Sequence, residues 1–392
     1  MGLLVISFDA VGDKIFEQMA NSNDYPNIAK FKQNAYYQGG VKTIFVSNTY
    51  PIHTSVSTGK YPKDHNIISN LLPQNKNGEY PWAQMSGLIK SKTIWESAKE
   101  KGLTTAAFLW PVTCGAKIDY NLPEVHLLNG QSRIFRHLLY GSKFFQIYSM
   151  LKFRGHLKNM KNIETLQPQL DNFTTAVAAN LISRKNIDLA CVHLIAYDHI
   201  CHLVGPKSID LEIAKKSLDK NLGILLNSWN GIVMIFSDHS QLMVNECINL
   251  NLLNELYFDK HIEFKTNKKN SKVDLYNDFL QLGGCAFGNK LPLNIEDKNW
   301  FGRYLTQQEM EESGYNKKYK FGFSAKEGFS FSEKTFKGDH GYPVNYNEYG
   351  VFYAVNKEIK YKNKLKSSIF DVSAIIAKEL GLDMDILNEY GI

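Results

Sequence analysis

The sequence predicts an α/β protein with a mostly parallel central sheet flanked by helices. Three apolar runs carry that expectation: LLVISFD closing at Asp9, LACVHLIAYD closing at Asp198 and GIVMIFSD closing at Asp238. Near-continuous hydrophobic runs belong to strands buried on both faces, as in a parallel sheet covered by helices. Helical stretches lie among them, at roughly 26–34, 51–58, 92–101, 168–184 and 208–228. This alternation marks an open parallel sheet. Ligands of such sheets gather outside the carboxyl ends of the strands, so three acids at three such ends are expected to meet at one site.

Taken in order, the N-terminus MGLLVISFDAVGD has no basic segment, and its apolar run stops at an acid. It reads as the first strand rather than a signal peptide. SNTYPIHTSVSTG, residues 47–59, reads as the start of a short helix of small hydroxyl residues. Thr49 suits an N-cap there, and Pro51 suits the first turn. Residues 115–165 and 245–335 break the alternation and read as cap or lid insertions in a single domain spanning 1–392. The tail SSIFDVSAIIAKELGLD reads as a closing amphipathic helix.

Composition narrows the function. With 392 residues and 44% hydrophobic content, the chain can bury a large core. No apolar run approaches the roughly 18 residues of a membrane span. Five cysteines lie scattered without CxxC spacing, which favours a reduced, cytoplasmic protein over a zinc ribbon or disulfide framework. A net charge of +6 is too mild to imply a nucleic-acid partner. The charge is uneven, however: from Val125 to Ile163 there is no acid, while lysines and arginines alternate with Phe, Leu and Tyr. That segment suits an anionic substrate or a membrane surface; its plainer reading is an amphipathic helix with a solvated basic face.

Histidines accompany the acids. His202 lies four residues after Asp198, one helical turn away; His239 follows Asp238; and His340 sits in GDHGYP. Carboxylate and imidazole together suit Zn²⁺ first, and also Mn²⁺, Fe²⁺ or Co²⁺. Three Asp and three His suffice for two neighbouring ions, with a hydroxyl completing one site.

TYPIHTSVSTGKYPKDHNIISN resembles the nucleophile segment of the nucleotide pyrophosphatase/phosphodiesterase family, within the alkaline phosphatase superfamily. Thr49-Tyr50-Pro51, His53, Thr58-Gly59, Tyr61-Pro62, His65, Ile67 and Asn70 carry the likeness. Asp9, Asp198-x3-His202, Asp238-His239 and the His340 motif follow in family order. The resemblance implies an alkaline-phosphatase-like fold and a hydrolase acting on a small phosphodiester or pyrophosphate. It implies one ion held by Asp9, Asp238, His239 and the Thr49 oxygen, and a second by Asp198, His202 and His340. Thr49 would be the nucleophile, passing through a phosphothreonine. Asn70 and the Tyr50 backbone N–H would hold a phosphoryl oxygen, and the Tyr50 ring would be free to stack on a leaving group.

Four positions depart from the family pattern without removing a ligand: Ile52, Cys201, Ser240 and Asp339. His193 stands where nucleotide-cleaving members carry a tyrosine that grips the base. Phosphonoacetate-hydrolase-like or phosphomonoesterase activity is the nearest enzymatic alternative. A non-catalytic protein binding metal and an anion is the alternative from another class.

Overall fold

Leu3–Phe8 form the buried strand β1 at the centre of a seven-stranded sheet. The structure is a computed structural model that describes residues 2–73, 75–77, 79–128, 138–157, 168–250, 279–289, 295–343 and 350–392. After β1 come β2 (Tyr36–Val41), β3 (Thr105–Phe108), β4 (Tyr120–Leu122), β5 (Leu189–Leu194) and β6 (Ile232–Ser237). Then follow β7 (Leu242–Ile248), β8 (Phe279–Gln281), β9 (Cys285–Gly288), β10 (Phe301–Tyr304), β11 (Phe321–Ala325), β12 (Gly328–Phe331), β13 (Gly338–Asp339) and β14 (Val351–Val355).

The main sheet runs β2-β14-β6-β1-β5-β3-β4. Among the described strands of this sheet only β14 is antiparallel, to both β6 and β2. The fold is α/β with a mostly parallel sheet, as the continuous apolar runs require.

Alternation along the strands splits the interior in two. Leu4, Ile6 and Phe8 pack with Ala190, Val192, Val233 and Ile235 beneath helices Asp13–Ala20, Gln169–Ile182 and Glu212–Ser228. Leu3 and Val5 pack with Cys191, Met234 and Phe236 on the other face, under helices Thr49–Thr58 and Phe370–Leu380. The second face carries Ser7 and Asp9 towards the Thr49 helix.

The inserted regions are of two kinds. Within 115–165, Tyr120–Leu122 pairs in parallel with β3 and forms an edge of the main sheet. Helix Lys143–Lys152 follows it, while 129–137 and 158–165 lie outside the described residues. Within 245–335, a second sheet of order β10-β11-β9-β8 has an apolar cluster that includes Phe279, Trp300 and Phe323. Residues 251–278 and 290–294 of this stretch also lie outside the described residues. No described helix is long and apolar enough to cross a membrane.

Candidate active site at the carboxyl ends of the strands

Register brings the first two acids together. Phe8 pairs with Ser237 of β6 and with Leu194 of β5, so Asp9 and Asp238 leave the sheet side by side. Ala10 then adopts a left-handed φ of 60°, and its N–H donates to Asp238 Oδ1 at 3.2 Å. The His239 N–H donates to the same oxygen at 2.9 Å. Such a backbone angle is unfavourable for alanine and is typical of sites where a turn must aim a group.

Asp198 does not end its strand. β5 stops at Leu194, and Asp198 lies in the first turn of helix Ala196–Val204. The apolar run continues through Ile195-Ala196-Tyr197 because the start of this helix is buried as well. Asp171 anchors that helix start, accepting from the Ile195 and Ala196 N–H groups at 3.0 Å each. One turn on, His202 Nε2 stands 3.5 Å from Asp198 Oδ2, while Gln241 Nε2 donates to Asp198 Oδ1 at 2.6 Å.

Thr49 is the first helical residue, one place beyond the expected cap. Asn48 occupies the N-cap position in extended conformation, without a side-chain capping bond. All ten residues of Thr49–Thr58 are buried, so their hydroxyls need partners. Thr54 donates back to the Tyr50 carbonyl and Thr58 to the Thr54 carbonyl, each at 2.8 Å. Ser57 accepts from Trp110 Nε1 at 3.0 Å, and Ser55 lies 2.9 Å from His65 Nε2. Gly59 ends the helix at a φ of 68°. Thr49 Oγ1 lies 3.2 Å from His239 Nε2.

His239 Nε2 is the meeting point of the first group, 3.4 Å from Asp9 Oδ1 and 3.3 Å from Asp238 Oδ2. Among the described residues neither of those oxygens has a hydrogen-bond partner, although both are buried. Burial, then Asp238 and Asp198, pushes the Asp9 carboxyl well above its usual range. Buried carboxylates with open lone pairs, a hydroxyl and an imidazole around one point form the donor set of a divalent cation.

The second group joins Asp198 and His202 to His340, whose ring stacks on His239 at 4.1 Å and lies 5.2 Å from the His202 ring. Nδ1 of His202 donates to the Gly338 carbonyl and Nδ1 of His340 to the Ser47 carbonyl, each at 2.9 Å. A carbonyl only accepts, so each imidazole turns Nε2 inward, the outer-sphere pattern of a metal-ligating histidine. Burial pushes His239 and His340 down to about 4, leaving them neutral at pH 7. His202 is also buried, but Asp198 and Asp339 outweigh that and raise it. All seven residues expected to ligate metal thus lie together, and Asp9 with Asp238 and His239, Asp198 with His239 and His340, and His202 with Asp339 and His340 each form a group that could hold a metal ion.

Asn70 meets the helix start as well: its Oδ1 accepts the Tyr50 N–H at 2.9 Å. The Tyr50 ring is only 1% exposed and its hydroxyl donates to Glu124 at 3.1 Å, so it is not free to stack on a leaving group. Trp82 and His126 stack on each other at 3.7 Å, the Trp82 ring lies tilted 5.2 Å from that of Tyr50, and His126 Nε2 lies 3.1 Å from Glu124 Oε1. Two of the four departures are core residues, Ile52 and Cys201. Asp339 accepts from Ser330 and from the His340 N–H.

Sequence reasoning missed the support beneath the site. His193 pairs in register with Ser7, and its Nε2 lies 3.1 Å from Asp9 Oδ2. His53 bridges the Thr49 carbonyl and Ser7 Oγ, at 2.9 Å each. The available signal was parity: Ser7, Asp9 and His193 share one face of the sheet.

Residues 3–283 match the family described as type I phosphodiesterase / nucleotide pyrophosphatase. The chain belongs to that family. Human ectonucleotide pyrophosphatase/phosphodiesterase family member 1 is 30% identical over 113 residues, 27% of this chain and 12% of that protein. Family member 7 from Rattus norvegicus is 23% identical over 257 residues, 62% of this chain and 51% of that protein. The matches therefore span about half or less of these two relatives. Among solved structures, murine ectonucleotide pyrophosphatase/phosphodiesterase 5 superposes with a TM-score of 0.63 at 16% identity, covering 98% of this chain and 96% of that one. Phosphonoacetate hydrolase from Sinorhizobium meliloti 1021, solved with phosphonoformate, gives 0.66 at 14% identity, covering 97% and 96%. At such identities these two likenesses speak for the fold alone.

Proposed function

We propose that this member of the family is a metal-dependent hydrolase that cleaves small phosphodiesters or pyrophosphates through a phosphothreonine on Thr49. The observation carrying this reading is the meeting of Thr49 Oγ1 with His239, which itself faces the unpartnered oxygens of Asp9 and Asp238. Asp9, Asp238, His239 and Thr49 would hold one ion, and Asp198, His202 and His340 the other, with Zn²⁺ the first choice and Mn²⁺, Fe²⁺ or Co²⁺ the others. Two bound ions supply Lewis-acid charge, which lowers the hydroxyl pKa of Thr49 and offsets charge on the leaving oxygen.

Thr49 Oγ1 attacks phosphorus in line. The O–H bond of Thr49 breaks and its proton goes to the leaving oxygen through solvent, and the new P–Oγ bond forms as the bond to that oxygen breaks. The substrate's non-bridging oxygen takes over the Tyr50 N–H now held by Asn70, and Asn70 turns its amide to the same oxygen. The positive end of the Thr49 helix favours that anion. Water then cleaves the P–Oγ bond and restores the hydroxyl. The region 245–335 is proposed as the lid over the strand ends. A cytoplasmic location draws support from the five free cysteines.

The test compares turnover of bis-p-nitrophenyl phosphate with that of p-nitrophenyl phosphate, with Zn²⁺ or Mn²⁺ added, for wild type and Thr49→Ala. A high diester preference that disappears in the variant supports the proposal. Monoester preference assigns a phosphomonoesterase. Phosphate release from phosphonoacetate, with no diester turnover, assigns phosphonate hydrolysis. Equal turnover by wild type and variant removes Thr49 as nucleophile.

A further inference from the structure

Helix Lys143–Lys152 is turned inside out. It buries the polar Gln146 and Ser149, and exposes Phe144 (90%), Ile147 (42%), Tyr148 (45%) and Leu151 (68%). These four are spaced i, i+3, i+4 and i+7, so they form one continuous stripe along the helix. A surface helix of a soluble protein normally points such a stripe at the core, and a contiguous exposed one marks an interaction site.

The stripe is held in place. Ser142, just before the helix, accepts the Asn121 N–H from β4 at 2.8 Å and donates its own N–H to the Asn121 carbonyl at 3.0 Å. Phe145 and Phe153 pack against the main core from the inner side. Lys143 lies exposed at one end of the stripe, with Lys152 and Arg154 exposed at the other. No acid occurs between Val125 and Ile163.

We infer that this helix docks the protein on an anionic lipid surface, with Phe144, Ile147, Tyr148 and Leu151 entering the headgroup boundary and the flanking cations meeting lipid phosphates. A second copy of the chain would oppose one basic face with another, which disfavours self-association. A lipid surface accepts a bare convex helix without a complementary groove, and pairs apolar insertion with charge attraction.

The test is co-sedimentation of the full chain with vesicles of phosphatidylcholine alone, or of phosphatidylcholine containing phosphatidylglycerol, at low and high salt. Binding is expected to be at least about 10-fold greater on the anionic vesicles and to weaken with salt. The double variant Phe144→Asp/Leu151→Asp is expected to lose it. Lys143→Glu/Arg154→Glu should lose the preference for anionic lipid. Far-UV circular dichroism checks that both variants fold, and because binding is read without turnover, its outcome is separable from that of the proposed hydrolase.

Absence of wild-type binding to anionic vesicles would overturn the inference, as would undiminished binding by the Phe144→Asp/Leu151→Asp variant. A dimer in sedimentation velocity that this variant dissociates, with no vesicle binding, would assign the face to a second copy. Capture by poly-glutamate without vesicle binding would assign it to an acidic protein.

Discussion

The two halves of the candidate metal centre are built differently. Asp9 and Asp238 extend from neighbouring strands in register, and His239 follows on the same backbone. Asp238 and His239 have fully buried side chains. In the other half, Asp198 and His202 share one helical turn, and their side chains keep 17% and 18% exposure. His340 reaches them from next to β13. The first half is positioned by the sheet, whereas the second is assembled from a helix and a distant turn and faces more solvent. Strand-end ligands need little beyond the register, while the helix-borne pair depends on Gln241 and on the Gly338 carbonyl to orient it.

That difference is open to test. The largest effect belongs to the residue that closes the first half: Thr49→Ala should lower turnover by on the order of 10⁴-fold or more, with metal content by mass spectrometry nearly unchanged. Asp238→Asn comes next. It should remove one ion of two and weaken retention of that ion by at least about 100-fold, since a ligand counts for more than its outer-sphere support. His340→Ala should remove the other ion, the one that chelator strips first from wild type. If chelator emptied the Asp238 half first, the contrast in exposure would not govern exchange.

Gln241→Ala should weaken metal at the helix-borne half about 10–100-fold, and leave the sheet-borne half alone. Ser7→Ala, which removes the hydroxyl bonded to His53, should cost about 1 kcal/mol of stability in a denaturant titration. If it stripped metal instead, the strand-end half would depend on its support as much as the other half does.

Legibility followed the same line. Asp9 and Asp238 were readable because hydropathy stops at them, where their strands do. Asp198 was misplaced because Ile195, Ala196 and Tyr197 prolong an apolar run after the chain has turned into a helix. Thr49 was displaced by one residue, since Asn48 and Thr49 suit an N-cap equally by composition. β4 is only three residues long, too short to give a pattern. The contacts of Ser7 with His53 and of Tyr50 with Glu124 join residues 46 and 74 positions apart, beyond the reach of any local periodicity.

The position of β14 has a consequence for synthesis. It lies between β2 and β6, so among the described strands the last in sequence completes the sheet between two made earlier. At ~5–20 residues per second, His340 leaves the ribosome on the order of tens of seconds after Asp9. Through that interval the growing chain carries open strand edges and an incomplete ligand set. Capture of the proposed ions would therefore be a late event in the life of each molecule, and chaperone cover matters most before β14 is in place.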